Sequence, residues 1–316
     1  MATTPAGEPS KIIWWDPDCW INNDTYYAIS GGKPAMLIKS PDLKTWTDLG
    51  PLLHDDFPTT LGVGKNEDIS CANMFKLGDK WFLLCISHGL GCRYYIGDFK
   101  DEKFLPEFHG RMNWRGQEFF APESLLTPDG RRVMWAWIRV RTAQPTQGGV
   151  QSLPRELSLP ADGVLRIKPL KELESLRGEV TKLEAVAVKE GASPALGGMA
   201  GDAIELAVSF KPSTAKGYGV RVLCNEKGEG GLPIKYDPAA KVLLLDTLKV
   251  PFELPADENL NLRIFVDKTV VEVFANDRQA AVTGCPTPNG TSVSLFAEGG
   301  EATADTVECW PLKSIY

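Results

Sequence analysis

Two short acidic clusters hold the carboxylates whose spacing could do chemistry. Asp16 and Asp18 flank Pro17 in the run WDPDCW, Trp15 to Trp20. Side chains two residues apart share one face if the segment is extended. Glu67 and Asp68 are neighbours in NEDISCANMF, Asn66 to Phe75. Carboxyl groups can divide the work of general acid and general base when their surroundings push their pKa values apart. Competing roles are structural: a turn or strand-entry cap for Asp16-Pro17-Asp18, and an edge-loop acidic pair for Glu67-Asp68. The sulfur and imidazole groups point to no metal. Seven cysteines occur at irregular spacing with no CxxC, and His54, His88 and His109 are scattered. Most cysteines read as buried thiols in strands and the histidines as structural or exposed, so no metal and no cofactor is expected.

The elements that must position these groups read as strands. Thr25–Ser30, Ala35–Lys39, Trp81–Ser87, Tyr94–Gly97 and Val133–Ile138 are short and rich in aromatic and β-branched residues. Turn pairs such as Gly78-Asp79 and Asp129-Gly130 separate them. Repeated short strands of this kind predict a propeller or a sandwich. The nine tryptophans concentrate in the first half and are expected mostly in the core. Near residues 170–185 the texture changes. Lys168–Arg177 carries leucines at three-residue spacing and reads as a short helical or irregular connector. Beyond it Ala, Val and Leu dominate, and Asn261–Asn276 reads as a hairpin turning near Asp267-Lys268. Asp267, Glu272 and Asp277 are expected as solvated hairpin positions. The 316 residues suit one large or two ordinary domains, with 43% hydrophobic and 24% charged residues. The net charge of -7 and the lack of a basic run argue against nucleic-acid binding. No apolar run approaches membrane-spanning length, and no secretory signal is visible, so no membrane partner is expected and a cytoplasmic location follows if the start is native.

Several stretches, taken in order, resemble glycoside hydrolase family 32, the invertases, inulinases, levanases and sucrose-6-phosphate hydrolases. WDPDCW, with DTYYAISGG and LIKSPDLKTWTDLGPLL after it, is similar to the family's RDP blade. NEDISCANMFKLGDKW resembles its WECPDLFPLGDKW region, and MNWRGQEFFAPESLLTPDGRRVMWAWI its DFYAPQTF and GRR region. SLPRELSL, GVLRIKPLKELESLR and LRIFVDKTVVEVFANDRQAAVT match the family's linker and sandwich hairpin. The resemblance implies an all-β fold, a β-propeller (five-bladed in the family) followed by a C-terminal β-sandwich. We expect the propeller part over 1–172, a connector over 173–184 and the sandwich over 185–316.

The resemblance also implies retaining cleavage of β-fructosyl linkages in sucrose or fructans. Such chemistry needs a carboxylate nucleophile and a carboxylic acid ~5 Å apart. Asp16 matches the RDP aspartate, the transition-state stabiliser, and Asp18 is a fallback carboxylate. The acid/base position is open. An ungapped match places Ser70 there, whereas three inserted residues move it to Glu67, with Asp68 as the alternative. Trp15 stands where the family has Arg and, with Asn113 and Glu118, is expected to contact substrate. Arg131 and Arg132 match GRR and are expected to hold a blade through buried ion pairs. The family's nucleophile motif, WMNDPNG, has no counterpart ahead of Asp16. A first blade is therefore expected to be missing, hydrolysis to be impaired, and the exposed blade edges to favour a homo-oligomer. The alternative reading is a fructan-binding protein that does not cleave.

Overall fold

The computed structural model describes residues 15–115, 119–139, 148–191 and 194–315. Their regular secondary structure is almost entirely β. Among them no helix is long and apolar enough to cross a membrane. Two compact units emerge, one built on the first ten strands and one on the last eleven.

The first unit begins with a four-stranded antiparallel meander. It comprises β1 (Asp18–Asn22), β2 (Thr25–Ser30), β3 (Met36–Ser40) and β4 (Thr47–Pro51). Asp18 lies opposite Ile29 in its register. A second meander follows with β5 (Ser70–Leu77), β6 (Lys80–Ser87), β7 (Gly91–Lys100) and β8 (Lys103–Arg111). β9 (Phe119–Leu126) then pairs with β10 (Arg132–Ile138). The opening strands of the three groups are neighbours, β1 beside β5 and β5 beside β9. That is blade-like stacking, in which the first strand of each sheet brings its residues to a common line. Ile29, Leu37, Leu52, Met74, Leu83, Tyr95 and Phe104 fill the space between the meanders.

Three short strands, β11 (Val150–Gln151), β12 (Arg155–Ser158) and β13 (Arg166–Pro169), lead to a 3-10 turn at Lys171–Leu176. The leucine-spaced connector thus takes a helical form, of the tighter kind.

The second unit holds two antiparallel sheets. The six-stranded sheet runs in the order β14 (Thr181–Val188), β24 (Ala302–Pro311), β15 (Ala203–Phe210), β20 (Leu260–Asp267), β21 (Val270–Ala275) and β22 (Gln279–Gly284). The five-stranded sheet runs β19 (Leu248–Pro251), β18 (Val242–Leu245), β17 (Leu232–Asp237), β16 (Gly217–Cys224) and β23 (Ser292–Glu298). β17 alternates strictly between buried and half-buried residues, as a strand covered on one face must. Leu206, Val208, Val220, Ile234, Ile264, Val273 and Leu295 share one apolar core, which makes this unit a β-sandwich.

Two expectations need correcting. Glu272 is not solvated. It is buried on β21, accepts the Leu153 N–H at 2.7 Å and pairs with the fully buried Arg155 at 2.7 Å. Its neighbours in Val271–Phe274 are all buried, so a hairpin exposed at the turn becomes core within a few residues. The tryptophans are less buried than their aromatic character suggests. Trp81 is buried and Trp20 stacks on Tyr27 at 5.4 Å, but Trp15 and Trp137 are exposed. The cysteines behave as expected, with Cys85, Cys92, Cys224, Cys285 and Cys309 buried as free thiols and Cys19 exposed.

Candidate active site

The site grows from two backbone irregularities. Asp16, just ahead of β1, has φ 43°, and Cys71 in β5 has φ 47°. Left-handed backbone is uncommon for residues other than glycine and tends to gather at functional sites. At Cys71 the cause is a bulge, because the β5–β6 register slips between Ser70 and Asn73. The bulge turns the Cys71 N–H toward Asp16, whose Oδ2 accepts it at 3.4 Å. The thiol lies 3.6 Å from the same oxygen. Burial, then the Asp16 charge, pushes that thiol up to about 12, so it is an un-ionised donor and not a nucleophile.

Asp18 faces the same region from β1. Its Oδ2 accepts the Met74 N–H at 2.6 Å. Burial raises its pKa, partly offset by the hydrogen bonds from Met74, Cys19 and Asn73 and by the charge of Arg132. The Asn73 amide oxygen in turn accepts a hydrogen bond from Ser124 of β9.

Ser124 is preceded by Glu123, a residue the sequence comparison passed over. Glu123 keeps an exposed edge. Its other surroundings nevertheless push the carboxyl up to about 7, first by burial and then through the negative charges of Asp18 and Asp16. Three carboxyls from β1, the residues before it, and β9 therefore gather around the β5 bulge, and one of them holds its proton near neutrality. The available signal was a carboxylate within FFAPESLL, an otherwise apolar strand.

Glu67 and Asp68 sit in a different setting. Glu67 Oε1 accepts the Asp68 N–H and the Ser87 hydroxyl, each at 2.8 Å, with Lys33 at 3.7 Å. The Ser87 hydrogen bond, joined by the Asp68 N–H and the Lys33 charge, outweighs desolvation and holds its pKa below the usual range. Asp68 is buried. Burial would raise its pKa, but the hydrogen bonds from the His88 N–H, the His88 ring and the Ser70 hydroxyl outweigh it and keep the group low. Both environments favour the anion, whereas that of Glu123 favours the acid.

Trp15 is exposed and lines a shallow depression of about 330 Å³ with Gly32, Lys33, Asp68, Ser70 and His88. Asn113 is buried, and its Oδ1 accepts the Phe119 N–H at 2.8 Å. A Cβ on Gly91, which has φ 70°, would run into its side chain. Asn113 thus fastens the entry to β9 instead of facing solvent. Glu118 lies outside the described residues. The arginine pair also departs from expectation. Arg131 pairs with exposed Asp129 at 2.8 Å, while the Arg132 guanidinium lies 4.1 Å from the centre of the Phe75 ring. That cation rests on an aromatic face, and its charge also acts on Asp18. Among the described residues no group of His, Cys, Asp and Glu is arranged to hold a metal.

Comparison with known proteins places this architecture. The profile described as "Glycosyl hydrolases family 32 N-terminal domain" matches residues 3–169, and "Glycosyl hydrolases family 32 C terminal" matches residues 172–311. A levanase of Bacillus subtilis (strain 168) is 27% identical, covering 97% of this chain and 50% of its own length. A sucrose-6-phosphate hydrolase of Zymomonas mobilis is 26% identical, covering 96% of this chain and 67% of its own. The chain thus spans half to two-thirds of these relatives. Among solved structures, fructan 1-exohydrolase IIa from Cichorium intybus superposes with a TM-score of 0.80 at 17% identity, over 94% of this chain and 71% of that one. Sucrose-6-phosphate hydrolase from Lactobacillus gasseri gives 0.75 at 20% identity, over 95% and 66%. At those identities the likeness is one of fold, a β-propeller with a β-sandwich.

Proposed function

The chain belongs to glycoside hydrolase family 32, and we propose that it cleaves β-fructosyl linkages in sucrose or a fructan. The relatives named as levanase and sucrose-6-phosphate hydrolase suggest the substrate class. The observation that carries the reading is the carboxyl cluster at the β5 bulge, in which burial and the charges of Asp18 and Asp16 raise Glu123 to about 7. Glu123 gives its proton to the leaving-group oxygen as the glycosidic bond breaks, and a water adds to the fructosyl carbon and loses its proton to Asp18, the fallback carboxylate. Asp16 faces the positive charge that develops on the fructosyl ring and stabilises it. Glu67 and Asp68, held as anions, shape the neighbouring wall and do not serve as the acid. In the same reading residues 1–172 are the propeller part, 173–184 the connector and 185–316 the sandwich.

A second reading, fructan binding without cleavage, draws support from Ser70. In the ungapped match it stands at the acid position of the family motif, and its hydroxyl is spent on Asp68 Oδ1 at 2.9 Å. Fructose release from sucrose, levan and inulin by the purified chain separates the two. Under the first reading Glu123→Gln lowers the rate on the order of 100-fold or more, the usual contribution of a positioned general acid. Retained sugar binding with no release at any pH favours the second.

A further inference from the structure

Behind Asp18 runs a chain of side chains that starts at Arg132 on β10. The guanidinium lies 4.1 Å from the centre of the Phe75 ring, and one of its terminal nitrogens donates to Ser124 Oγ on β9 at 3.4 Å. The Ser124 hydroxyl donates in turn to the Asn73 amide oxygen on β5. Asn73 is buried, and its amide nitrogen is the end left to meet Asp18, to which it hydrogen-bonds. Packing alone does not account for the arginine. Its Nε is buried without a hydrogen-bond partner among the described residues, and an unpaired buried N–H costs free energy. A residue that only filled the space over Phe75 would carry no such cost.

The direction of each bond follows from which groups can donate. A guanidinium only donates, so Ser124 Oγ accepts from Arg132 and turns its own hydrogen elsewhere. The acceptor within reach is Asn73 Oδ1. Accepting from a cation polarises the hydroxyl and strengthens the bond it donates. That fixes which way the Asn73 amide faces, with its oxygen to Ser124 and its N–H to Asp18. Asp18 thus collects the Met74 N–H at 2.6 Å, the Cys19 N–H and the Asn73 amide, with the Arg132 charge behind them. Glu123, next to Ser124 in sequence, has the opposite surroundings. Among the described residues none donates a hydrogen bond to its carboxyl, while Asp18 and Asp16 supply negative charge. Cys19 on β1 and Cys71 on β5 are further titratable neighbours. Burial raises both thiols, so neither adds charge near neutrality.

We propose that Arg132 is a positioning residue: through Ser124 and Asn73 it aims an amide N–H at Asp18, which keeps Asp18 a base and leaves the proton to Glu123. The division into base and acid rests on the hydrolytic reading, whereas the relay itself does not. Three variants of the full chain test it. Ser124→Ala cuts the relay with Arg132 still in place, and Ser124→Thr keeps the hydroxyl. Arg132→Met keeps a stem over Phe75 and drops both the donor and the charge. A carboxylate that loses a donor is harder to ionise. In Ser124→Ala and in Arg132→Met the acid limb of the kcat/KM profile for sucrose therefore moves up by about one pH unit. Ser124→Thr keeps the wild-type profile. A merely structural role would lower the rate equally at every pH. Carbon-detected NMR titration of the Asp18 carboxyl makes the same comparison without turnover. An upward shift of Asp18 in Ser124→Ala and Arg132→Met, absent in Ser124→Thr, supports the relay. The same shift in a chain that releases no fructose at any pH keeps the relay and sinks the hydrolytic reading. An Asp18 titration unmoved in Ser124→Ala, a rate lowered with no shift of the acid limb, or a shift that Ser124→Thr shares would overturn the inference.

Discussion

Glu123 offers a test that does not depend on turnover. Its carboxyl stands at about 7 in the folded chain against an ordinary 4.5. Below 4.5 the group is protonated in both folded and unfolded chains and has no effect on their balance. Between 4.5 and 7 the folded chain holds a proton that the unfolded one has released, so stability falls as pH rises through this window. Above 7 the whole penalty is present. Unscreened, that displacement is worth about 3 kcal/mol at ~1.4 kcal/mol per pH decade. The exposed edge of Glu123 lets solvent screen much of it, leaving about 1 kcal/mol. Glu123→Gln cannot ionise and removes the penalty. In a chain of this size ~1 kcal/mol moves the melting temperature by about 2 °C. Thermal unfolding of both proteins at pH 4 and pH 8 measures it. We expect the variant to gain about 2 °C over the wild type at pH 8 relative to their difference at pH 4. Any effect of the amide that is independent of pH cancels in this comparison. In an Asp18→Asn background the gain shrinks, because one of the charges that raise Glu123 is gone. A difference that does not change with pH would refute the placement of Glu123 among these carboxylates, and with it the acid assigned to the reaction.

Other consequences follow from the same geometry. Hydrolysis should decline above about pH 7 as the Glu123 proton is lost, roughly tenfold per unit at the alkaline end; a rate still rising past pH 8 would contradict this. Arg155→Ala strands buried Glu272 and should cost about 3–5 kcal/mol in urea unfolding, as breaking one side of a buried pair does. Gly91→Ala forces a Cβ onto a φ of 70° and into Asn113, and should lower the melting temperature by several degrees. His109 is desolvated and crowded by Arg93 and Arg111, which lowers its pKa to about 4 from an ordinary 6.5. The unfolded chain then binds the extra proton, so stability is lost as pH falls from 6.5 toward 4; His109→Asn should flatten that limb of the stability profile.

The fold was largely readable because its signals are local. TYYAIS is β2 residue for residue, and Ser292–Ala297 lies within β23. The hairpin after Leu260 turns at Lys268, whose φ of 54° fits the expected turn. Roles within the site were harder to read, since a carboxyl's charge state belongs to its surroundings. Glu67 and Asp68 look like any acidic loop pair until Ser87, Ser70 and His88 are seen donating to them. Glu123, 105 residues after Asp18, shows in the sequence only as a carboxylate in a strand until β1, β5 and β9 bring the two within each other's field. Glu272 shows the reverse case. Its turn-proximal position suggested solvent, and only a partner from 117 residues away, Arg155, explains its burial.

The two left-handed residues at Asp16 and Cys71 tie these observations together. Asparagine and aspartate tolerate that backbone better than most residues, but cysteine does not. The bulge at Cys71 therefore needs a return for its strain. Its N–H meets Asp16, and Ser70 and Asn73, which bound the bulge, meet Asp68 and Ser124. One irregular turn of β5 thus places the Asp16 carboxylate, holds Ser70 against Asp68 and anchors the strand that carries Glu123. Because Cys71 contributes backbone geometry and an un-ionised thiol, Cys71→Ser should preserve the site. Cys71→Pro removes the N–H and fixes φ near -65°, so it should release Asp16 and Asn73 together. Loss of the pH-dependent stability difference at Glu123 in Cys71→Pro, with its retention in Cys71→Ser, is the expected pattern. The difference surviving in both would show that the bulge does not organise the carboxyl cluster.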